Sequence, residues 1–150
     1  MAGVMEKTRI EEFIRFCRER HLNVTHQRLA IYQALLNSTE HPTAEDIFRT
    51  IQSDYPTISR ATVYKTLELF EREGIIRKVS FPHETAARYD ANPQRHHHLF
   101  CVQCHRVEDL SHPQLDALPL SKRALNNYQV IDHVVHINGI CPACQQKRRS

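Results

Sequence analysis

The sequence predicts an α+β protein: an N-terminal winged helix-turn-helix domain followed by a small α/β domain with a four-cysteine metal site. Three observations support this. The first 75 residues read as successive amphipathic helices, two strand-like runs follow, and two Cys-x-x-Cys pairs lie in the remaining part. Because the composition changes near residue 91, we predict one domain over residues 1–90 and a second over residues 91–150.

Four helices are predicted in the first domain from apolar stripes and capping residues. Each of the last three begins with a Ser or Thr that suits the N-cap position, and the third has an Asp three residues later, as in a capping box. A glycine ends the fourth helix. The predicted helices are residues 5–20, residues 25–37 with Thr25 as N-cap, a third that begins at Thr43 with Asp46, and a fourth that runs from Ser59 to Gly74.

A β-hairpin is predicted directly after the fourth helix. Residues 75–81 and 87–89 are strand-like, and the turn between them includes Pro82 and His83. Short helices followed by a hairpin are typical of a winged helix-turn-helix, in which the last helix enters the major groove of DNA. The pattern alone leaves a helical bundle without a ligand as the alternative.

Charge alone does not predict DNA binding, because residues 1–90 hold 13 basic and 13 acidic side chains. The fourth helix instead predicts a local patch: its N-terminal half is rich in hydrogen-bond donors, including Thr66, and its Glu residues lie toward its C-terminal end. Tyr64 has an alternative place beneath the helix, in the core. The candidate DNA contacts are Arg60, Thr62, Tyr64 and Lys65, with His26, Gln27 and Arg28 near the DNA backbone.

The two Cys-x-x-Cys pairs are the most specific pattern in the chain. Each pair forms a tight turn whose thiolates point at one centre, and two pairs complete a tetrahedral sulfur site that suits structural zinc. The 36 residues between the pairs leave room for a helix and a strand. The fifth cysteine, Cys17, lies on an apolar helical stripe and is predicted to be a core residue. The predicted zinc ligands are Cys101, Cys104, Cys141 and Cys144.

The sequence contains no apolar run near the roughly 20 residues that a membrane helix needs, so no membrane partner is predicted. Its N-terminal segment is polar, which favours a cytoplasmic, reducing location. In that compartment cysteines are better interpreted as metal ligands than as disulfides.

The second domain contains seven of the eleven histidines. In an extended segment His96 and His98 point to one face and His97 to the other, so the first two can chelate one ion. Histidines of a polar loop are the alternative. The predicted strands are residues 99–102, 107–110 and 129–137. A helix is predicted over 114–127, although Pro119 leaves its first residue open, and a solvated tail over 147–149.

Taken in order, five segments resemble the ferric uptake regulator family over nearly the whole chain. The resemblance implies a homodimeric, metal-dependent transcriptional repressor. It also implies a C-terminal dimerisation domain and a near-palindromic operator in double-stranded DNA. The segments are residues 41–48 (HPTAEDIF), 59–67 (SRATVYKTL), 88–90 (RYD), 96–104 (HHHLFCVQC) and 141–144 (CPAC).

The resemblance also implies a regulatory metal site of three imidazoles and two carboxylates. Such a set suits Fe(II) or Mn(II), with Zn(II) as a further occupant in purified protein. Two Asp carboxylates resemble the peroxide-sensing branch of the family, in which bound Fe(II) reacts with peroxide and a ligating histidine is oxidised, here His41 or His96. A repressor that responds to iron or zinc levels is the alternative. The implied ligands are His41, Asp90, His96, His98 and Asp109.

A third metal site, present in part of the family, matches four positions of this chain. Arg95 stands at one of them, where a histidine ligand is expected, and His133 is equally well interpreted as a core histidine on a strand. The other two matching positions are His97 and Asp116.

Two other classes of protein would explain part of this pattern. A non-haem iron enzyme needs two histidines, one carboxylate and open metal positions, but the implied ligand set fills the shell and leaves the helix-turn-helix without a role. A zinc-stabilised protein-interaction module would explain the cysteines but not the donor-rich fourth helix. We therefore predict that the protein is not an enzyme and has no catalytic residues.

Overall fold

The computed structural model describes residues 2–82, 84–117 and 119–149. Its contacts divide the chain into two compact units, Met1–Pro93 and Gln94–Ser150. In the part of the chain that the structure describes, no helix is both long enough and apolar enough to cross a membrane.

The first unit contains the four predicted helices. Their N-caps are the predicted ones: the hydroxyl of Thr25 accepts from the Arg28 amide (3.2 Å), and Ser59 does the same for Thr62 (3.1 Å). Thr43 and Asp46 form a capping box in which both reciprocal hydrogen bonds are present. The helices are α1 (Ala2–Glu19), α2 (His26–Leu36), α3 (Ala44–Ile51) and α4 (Arg60–Arg72).

The helices pack around an aromatic centre. The ring of Phe13 stacks on Tyr32 at 4.1 Å between centroids and meets the edge of Phe70 at 5.4 Å. Cys17, on the same face of α1 as Phe13, is 1% exposed and is a core residue as predicted. Because the apolar stripes of α1 to α4 bury against one another, the opposite face of α4 is left for solvent.

The predicted hairpin follows α4. Gly74 has a φ of 74°, which glycine adopts without strain, and this turns the chain out of the helix. Strands β1 (Arg77–Val79) and β2 (Arg88–Asp90) pair antiparallel; β1 is shorter than the predicted run, and β2 has the predicted length but lies one residue later. The predicted turn residue His83 lies outside the described residues.

The second unit is a three-stranded sheet with two short helices. The strand order is β4-β3-β5, with β4 antiparallel and β5 parallel to the central β3. The elements are β3 (His97–Cys101), β4 (Val107–Leu110), α5 (Pro113–Ala117), β5 (His136–Gly139) and α6 (Pro142–Arg149).

Two predictions for this unit were wrong, and in a third the predicted tail is solvated but helical. The helix predicted over 114–127 is only α5, since Pro119 offers no amide and Asn126 and Asn127 have positive φ values of 48° and 62°. The strand predicted over 129–137 begins only at His136. The predicted solvated tail belongs to α6, where Lys147 is exposed.

Candidate functional site

The four paired cysteines of the second unit come together in space. The first pair lies where β3 ends, in a turn that a hydrogen bond from the His105 amide to the Cys101 carbonyl closes (2.8 Å). The second pair lies at the start of α6, where the Gln145 amide donates to the Cys141 carbonyl (3.0 Å). One sulfur atom from each residue lies within 4.8 Å of the others: Cys101, Cys104, Cys141 and Cys144.

Zinc suits this set of sulfur donors. The Sγ atoms of Cys104 and Cys141 are 3.7 Å apart. A tetrahedron with Zn–S bonds of about 2.3 Å has an edge of about 3.8 Å. The cluster is therefore compatible with a structural zinc site.

Backbone amides lower the pKa of one of the four thiols and so favour its thiolate, the form that binds metal. The amide of Cys141 donates to Sγ of Cys101 (3.3 Å), and this bond, with others from Cys104 and Gln103, lowers the pKa of the Cys101 thiol to about 6. Burial raises the pKa of Cys144 to about 12. Because metal binds the thiolate, binding has to displace the Cys144 proton, and affinity for zinc rises with pH.

His41 and Asp90 form a buried pair within the first unit. Their Nε2 and Oδ2 atoms are 3.7 Å apart. The guanidinium of Arg88 donates to the carbonyl of His41 (3.3 Å) and is itself held by Glu84 (2.6 Å). The wing strand β2 therefore carries Asp90 and also fixes the backbone of His41.

Three predicted ligands meet within the second unit: one directly before β3, one on β3 and one on the neighbouring β4. The Nε2 atoms of His96 and His98 are 3.2 Å apart, and Nε2 of His96 is 3.5 Å from Oδ1 of Asp109. Two nitrogens bound about 2.1 Å from one ion would be about 3.0 to 3.4 Å apart. The five predicted regulatory ligands thus fall into two groups, one in each unit.

The proton of His96 is directed away from this group. Its Nδ1 lies 2.7 Å from the carbonyl oxygen of Gln94, an atom that only accepts, so Nδ1 carries the proton. The lone pair is then on Nε2, toward His98 and Asp109. A ligating histidine commonly has this arrangement, with its second nitrogen donating to a carbonyl.

Sequence reasoning missed His136. It pairs with His98 across the parallel β3–β5 ladder, and the two rings meet edge to face at 5.2 Å. Burial, and then the charge of His98, lowers the pKa of His136. Only the strand register brings these two rings together, so no local motif could have indicated the contact.

The predicted DNA contacts lie at the start of α2 and on α4. A groove of the first unit has walls from both helices, and its lining includes Gln27, Arg28, Thr62 and Lys65. Three of the other candidates are exposed: His26, Arg60 and Tyr64.

Two predicted donors of α4 have very different exposures. Thr66 lines the same groove as Lys65, but only 7% of it is exposed, so little of this side chain is accessible to a ligand. Tyr64 is 47% exposed, which excludes the alternative that it packs beneath the helix.

Glu45 is a neighbour of the DNA-facing helix that sequence reasoning missed. Its Oε1 accepts from Arg60 (3.0 Å) and from Arg49 (3.2 Å), and the Arg60 guanidinium lies 4.8 Å from the ring centroid of Phe48. Arg60 is therefore oriented by α3 before any ligand binds. The pair is 15 positions apart in the sequence, so helical spacing could not reveal it.

The remaining predicted ligands, His97, Asp116 and His133, also lie together in the second unit. Nε2 of His97 is 3.1 Å from Oδ1 of Asp116, and the rings of His97 and His133 stack at 5.7 Å. Arg95 contacts the same His133 ring at 2.5 Å.

The chain is similar to known proteins over most of its length. The model of the ferric uptake regulator family matches residues 19–138. The chain is 34% identical over 138 residues to the peroxide-responsive repressor PerR of Staphylococcus aureus, covering 92% of this chain and 93% of that protein.

Solved structures agree on the fold. The ferric uptake regulator Fur of Helicobacter pylori superposes with a TM-score of 0.75 at 21% identity, covering 93% of each chain. PerR from Streptococcus pyogenes, described in terms of peroxide sensing and gene regulation, superposes with a TM-score of 0.54 at 30% identity, covering 91% of this chain and 92% of that one. The chain therefore belongs to the ferric uptake regulator family, whose members are metal-responsive transcription regulators.

Proposed function

We propose that this protein is a metal-dependent transcriptional repressor that binds double-stranded DNA through α4 and releases it after peroxide oxidises a ligating histidine. The DNA-binding part is supported by the groove between α2 and α4, whose lining includes Arg28, Thr62 and Lys65. The S. pyogenes relative, described as a gene regulator, supports the same role. The protein would act without enzymatic turnover and in the cytoplasm.

The regulatory ion would be bound by His41 and Asp90 of the first unit together with His96, His98 and Asp109 of the second. The proton arrangement of His96 is the observation that supports this most directly, since its Nε2 lone pair is directed at His98 and Asp109. Nitrogen and carboxylate donors in this ratio suit Fe(II) or Mn(II). Zinc would occupy the four-cysteine site.

Peroxide sensing is proposed because both carboxylate ligands are Asp and because the S. aureus relative is a peroxide-responsive repressor. When Fe(II) is bound, it would reduce hydrogen peroxide. One oxygen atom of the peroxide would then be added to an adjacent imidazole. The Gln94 carbonyl would hold His96 in position for this reaction. The second candidate is a repressor that responds to the level of iron or zinc, since the Fur fold serves that role in the H. pylori protein's family.

Mass spectrometry of the Fe(II)-loaded protein before and after a small dose of peroxide distinguishes these candidates. Trypsin yields a peptide of residues 29–49 whose only histidine is His41, and a peptide of residues 96–106 that contains His96. Fragment ions separate His96 from the other histidines of its peptide. We expect a gain of one oxygen at His41 or His96, together with loss of binding to operator DNA.

The Mn(II)-loaded protein is the control, because Mn(II) does not reduce peroxide under these conditions and the histidines should stay intact. His26, on the exposed start of α2, is an internal control that should gain no oxygen in either form. If DNA binding follows added iron or zinc while neither peptide gains oxygen, the protein is a sensor of metal level instead.

We further propose a homodimer formed by the second unit. Leu99 of β3 and Ile137 of β5 are register partners and are 37% and 41% exposed, which leaves apolar surface on this sheet. A dimer would bind the two halves of a near-palindromic operator. Sedimentation equilibrium of the zinc-loaded protein tests the dimer, and Leu99→Glu should shift the protein toward monomer.

A further inference from the structure

The cluster of Arg95, His97, Asp116 and His133 occupies the position of the third metal site that the family resemblance implies. The described residues give each ring nitrogen of the two histidines a hydrogen-bond partner. Whether an ion fits there depends on which nitrogen of each ring carries the proton, because only a nitrogen lone pair binds metal.

The proton of His97 is on Nε2, the nitrogen that faces Asp116 and that would have to bind a metal ion. The amide of Val135 donates to Nδ1 of His97 (3.0 Å), so Nδ1 holds the lone pair. Nε2 then carries the proton and donates it to Oδ1 of Asp116 (3.1 Å). To bind metal through Nε2, the ring would have to break its bond to Val135 or lose its last proton, which neutral imidazole does not do near pH 7.

Both ring nitrogens of His133 also have hydrogen-bond partners. Its Nε2 lies 2.7 Å from the carbonyl oxygen of Leu115, which only accepts, so this nitrogen carries the proton. Its Nδ1 then has the lone pair, and Nη2 of Arg95 lies 2.5 Å from Nδ1 and 3.3 Å from Nε2 of the ring. The Arg95 guanidinium also pairs with Asp132 at 3.5 Å. A second cation at this place would be repelled by a guanidinium that stays protonated at every physiological pH.

From this geometry we infer that the guanidinium of Arg95 is the cation of this cluster and that no third metal ion binds there. The cluster connects β3, through His97, to α5, through Asp116, and to the segment before β5, through His133 and Val135. It is a cross-link that does not depend on the regulatory metal. His96, by contrast, donates from Nδ1 to the Gln94 carbonyl and keeps its lone pair on Nε2.

Histidine nitrogen chemical shifts measured by NMR test this directly. In the zinc-loaded wild type, His97 and His133 should both appear as neutral rings protonated on Nε2. Added Zn(II), which is diamagnetic, should shift the Nε2 signals of His96 and His98, whereas Nε2 of His97 and of His133 should keep the shift of a protonated nitrogen. A metal-bound Nε2 shift for His97 or His133 would overturn the inference.

Metal counting with Asp116→Asn gives an independent test. The amide oxygen of Asn still accepts the His97 proton, whereas an amide is a much weaker metal ligand than a carboxylate. We expect wild type and Asp116→Asn to bind the same number of zinc ions per chain at saturation. One ion fewer in Asp116→Asn, with the His133→Ala variant losing the same ion, would show that the cluster is a metal site.

The role of Arg95 is tested with Arg95→Met, which keeps most of the side-chain length and removes the cation. We expect a lower Tm than wild type, with an equal shift whether or not Mn(II) is present. Arg123→Met, a change at an exposed arginine of the same unit, is the matched control and should leave Tm unchanged. A Tm for Arg95→Met equal to that of the control, or a shift that Mn(II) removes, would contradict the assignment.

Discussion

At the scale of single residues, the neighbours of a histidine decide whether it can bind metal. His96 precedes β3 directly and His97 begins it, but a carbonyl accepts from Nδ1 of the first and an amide donates to Nδ1 of the second. The sequence predicts that the two rings face opposite sides of β3. The sequence cannot predict which ring nitrogen of His97 carries the proton, because the amide that decides it belongs to Val135, 38 positions away. The corresponding partner of His96, Gln94, is only two positions away.

Cys104→Ala is expected to remove the zinc ion and to destabilise the second unit, because three sulfurs cannot complete the closed tetrahedral site. Elemental analysis gives the zinc content, and thermal unfolding gives the stability. Cys17→Ala is the control, since Cys17 lies in the core of the first unit and should keep the zinc. Zinc retained in Cys104→Ala would argue against a four-sulfur site.

Asp46→Asn is expected to lower the free energy of unfolding by about 0.5 to 1 kcal/mol at pH 7, through loss of a charged hydrogen bond at the N-terminus of α3. Burial of Asp46 raises its pKa, but the hydrogen bonds from the hydroxyl and amide of Thr43 outweigh this, and the pKa is lowered overall. Because the folded pKa lies below the unfolded value of about 3.9, the stabilisation is present above that pH. It is lost as the pH falls through the lowered value.

Chemical denaturation of wild type and Asp46→Asn, followed by circular dichroism at several pH values, measures this difference. The gap between the two proteins should close in acid. Zinc release in acid affects both proteins equally and cancels in the comparison. A gap that is independent of pH would mean that the Asp46 charge contributes nothing to α3.

At the scale of elements, the sequence predicts those whose signals are local. The N-caps of α2, α3 and α4 use hydroxyls within three residues of the amides they accept from, so the starts of these helices follow from sequence alone. The strand predicted over 129–135 is absent because its signal is not local. Its apolar residues favour a strand, yet a strand needs a ladder partner, and β5 pairs with β3 only from His136 onward.

The same distinction holds for the candidate sites. The Cys-x-x-Cys spacing identified the sulfur cluster because each pair is a local turn. The Glu45–Arg60 pair and the His98–His136 contact were missed because tertiary packing and strand register create them.

Lys65→Ala on α4 is expected to weaken binding to all DNA sequences to a similar degree. It should also reduce the slope of log affinity against log salt by about 1, as loss of one phosphate contact does. Titration of a labelled duplex at several salt concentrations measures both effects. Arg72→Ala is the control, because Arg72 is a basic residue of the same helix at its opposite end, paired with Glu73. Equal effects of the two variants would mean that α4 attracts DNA only through its total charge.

At the scale of the whole molecule, the two units have separate sources of stability. The first has a core of buried side chains from α1 to α4 and the wing, and it contains none of the four clustered cysteines. The second has few buried apolar side chains in its described part, among them Phe100 and Val107, and contains the sulfur cluster. A small domain of this kind commonly depends on metal for its stability.

Removal of zinc by a strong chelator is therefore expected to unfold the second unit and leave most of the helical signal of the first. Far-ultraviolet circular dichroism follows the helices, and amide NMR signals of β3 to β5 follow the sheet. Restored zinc should restore the sheet signals. Simultaneous loss of both signals would show that the two units fold as one cooperative body.

The backbone of His41 has a φ of 50°, which costs a non-glycine residue about 1 to 2 kcal/mol, and the following Pro42 restricts it further. Two contacts from β2 hold it there: Arg88 donates to the His41 carbonyl, and the Tyr89 amide donates to that of Pro42. The backbone is thus held in a strained conformation at the residue whose imidazole faces Asp90. His41→Gly should accordingly unfold at a higher temperature than His41→Ala, by about 1 kcal/mol in free energy, although both lack the imidazole. Thermal unfolding of the two variants without a regulatory metal would show whether the histidine is kept at this position against the preference of its own backbone.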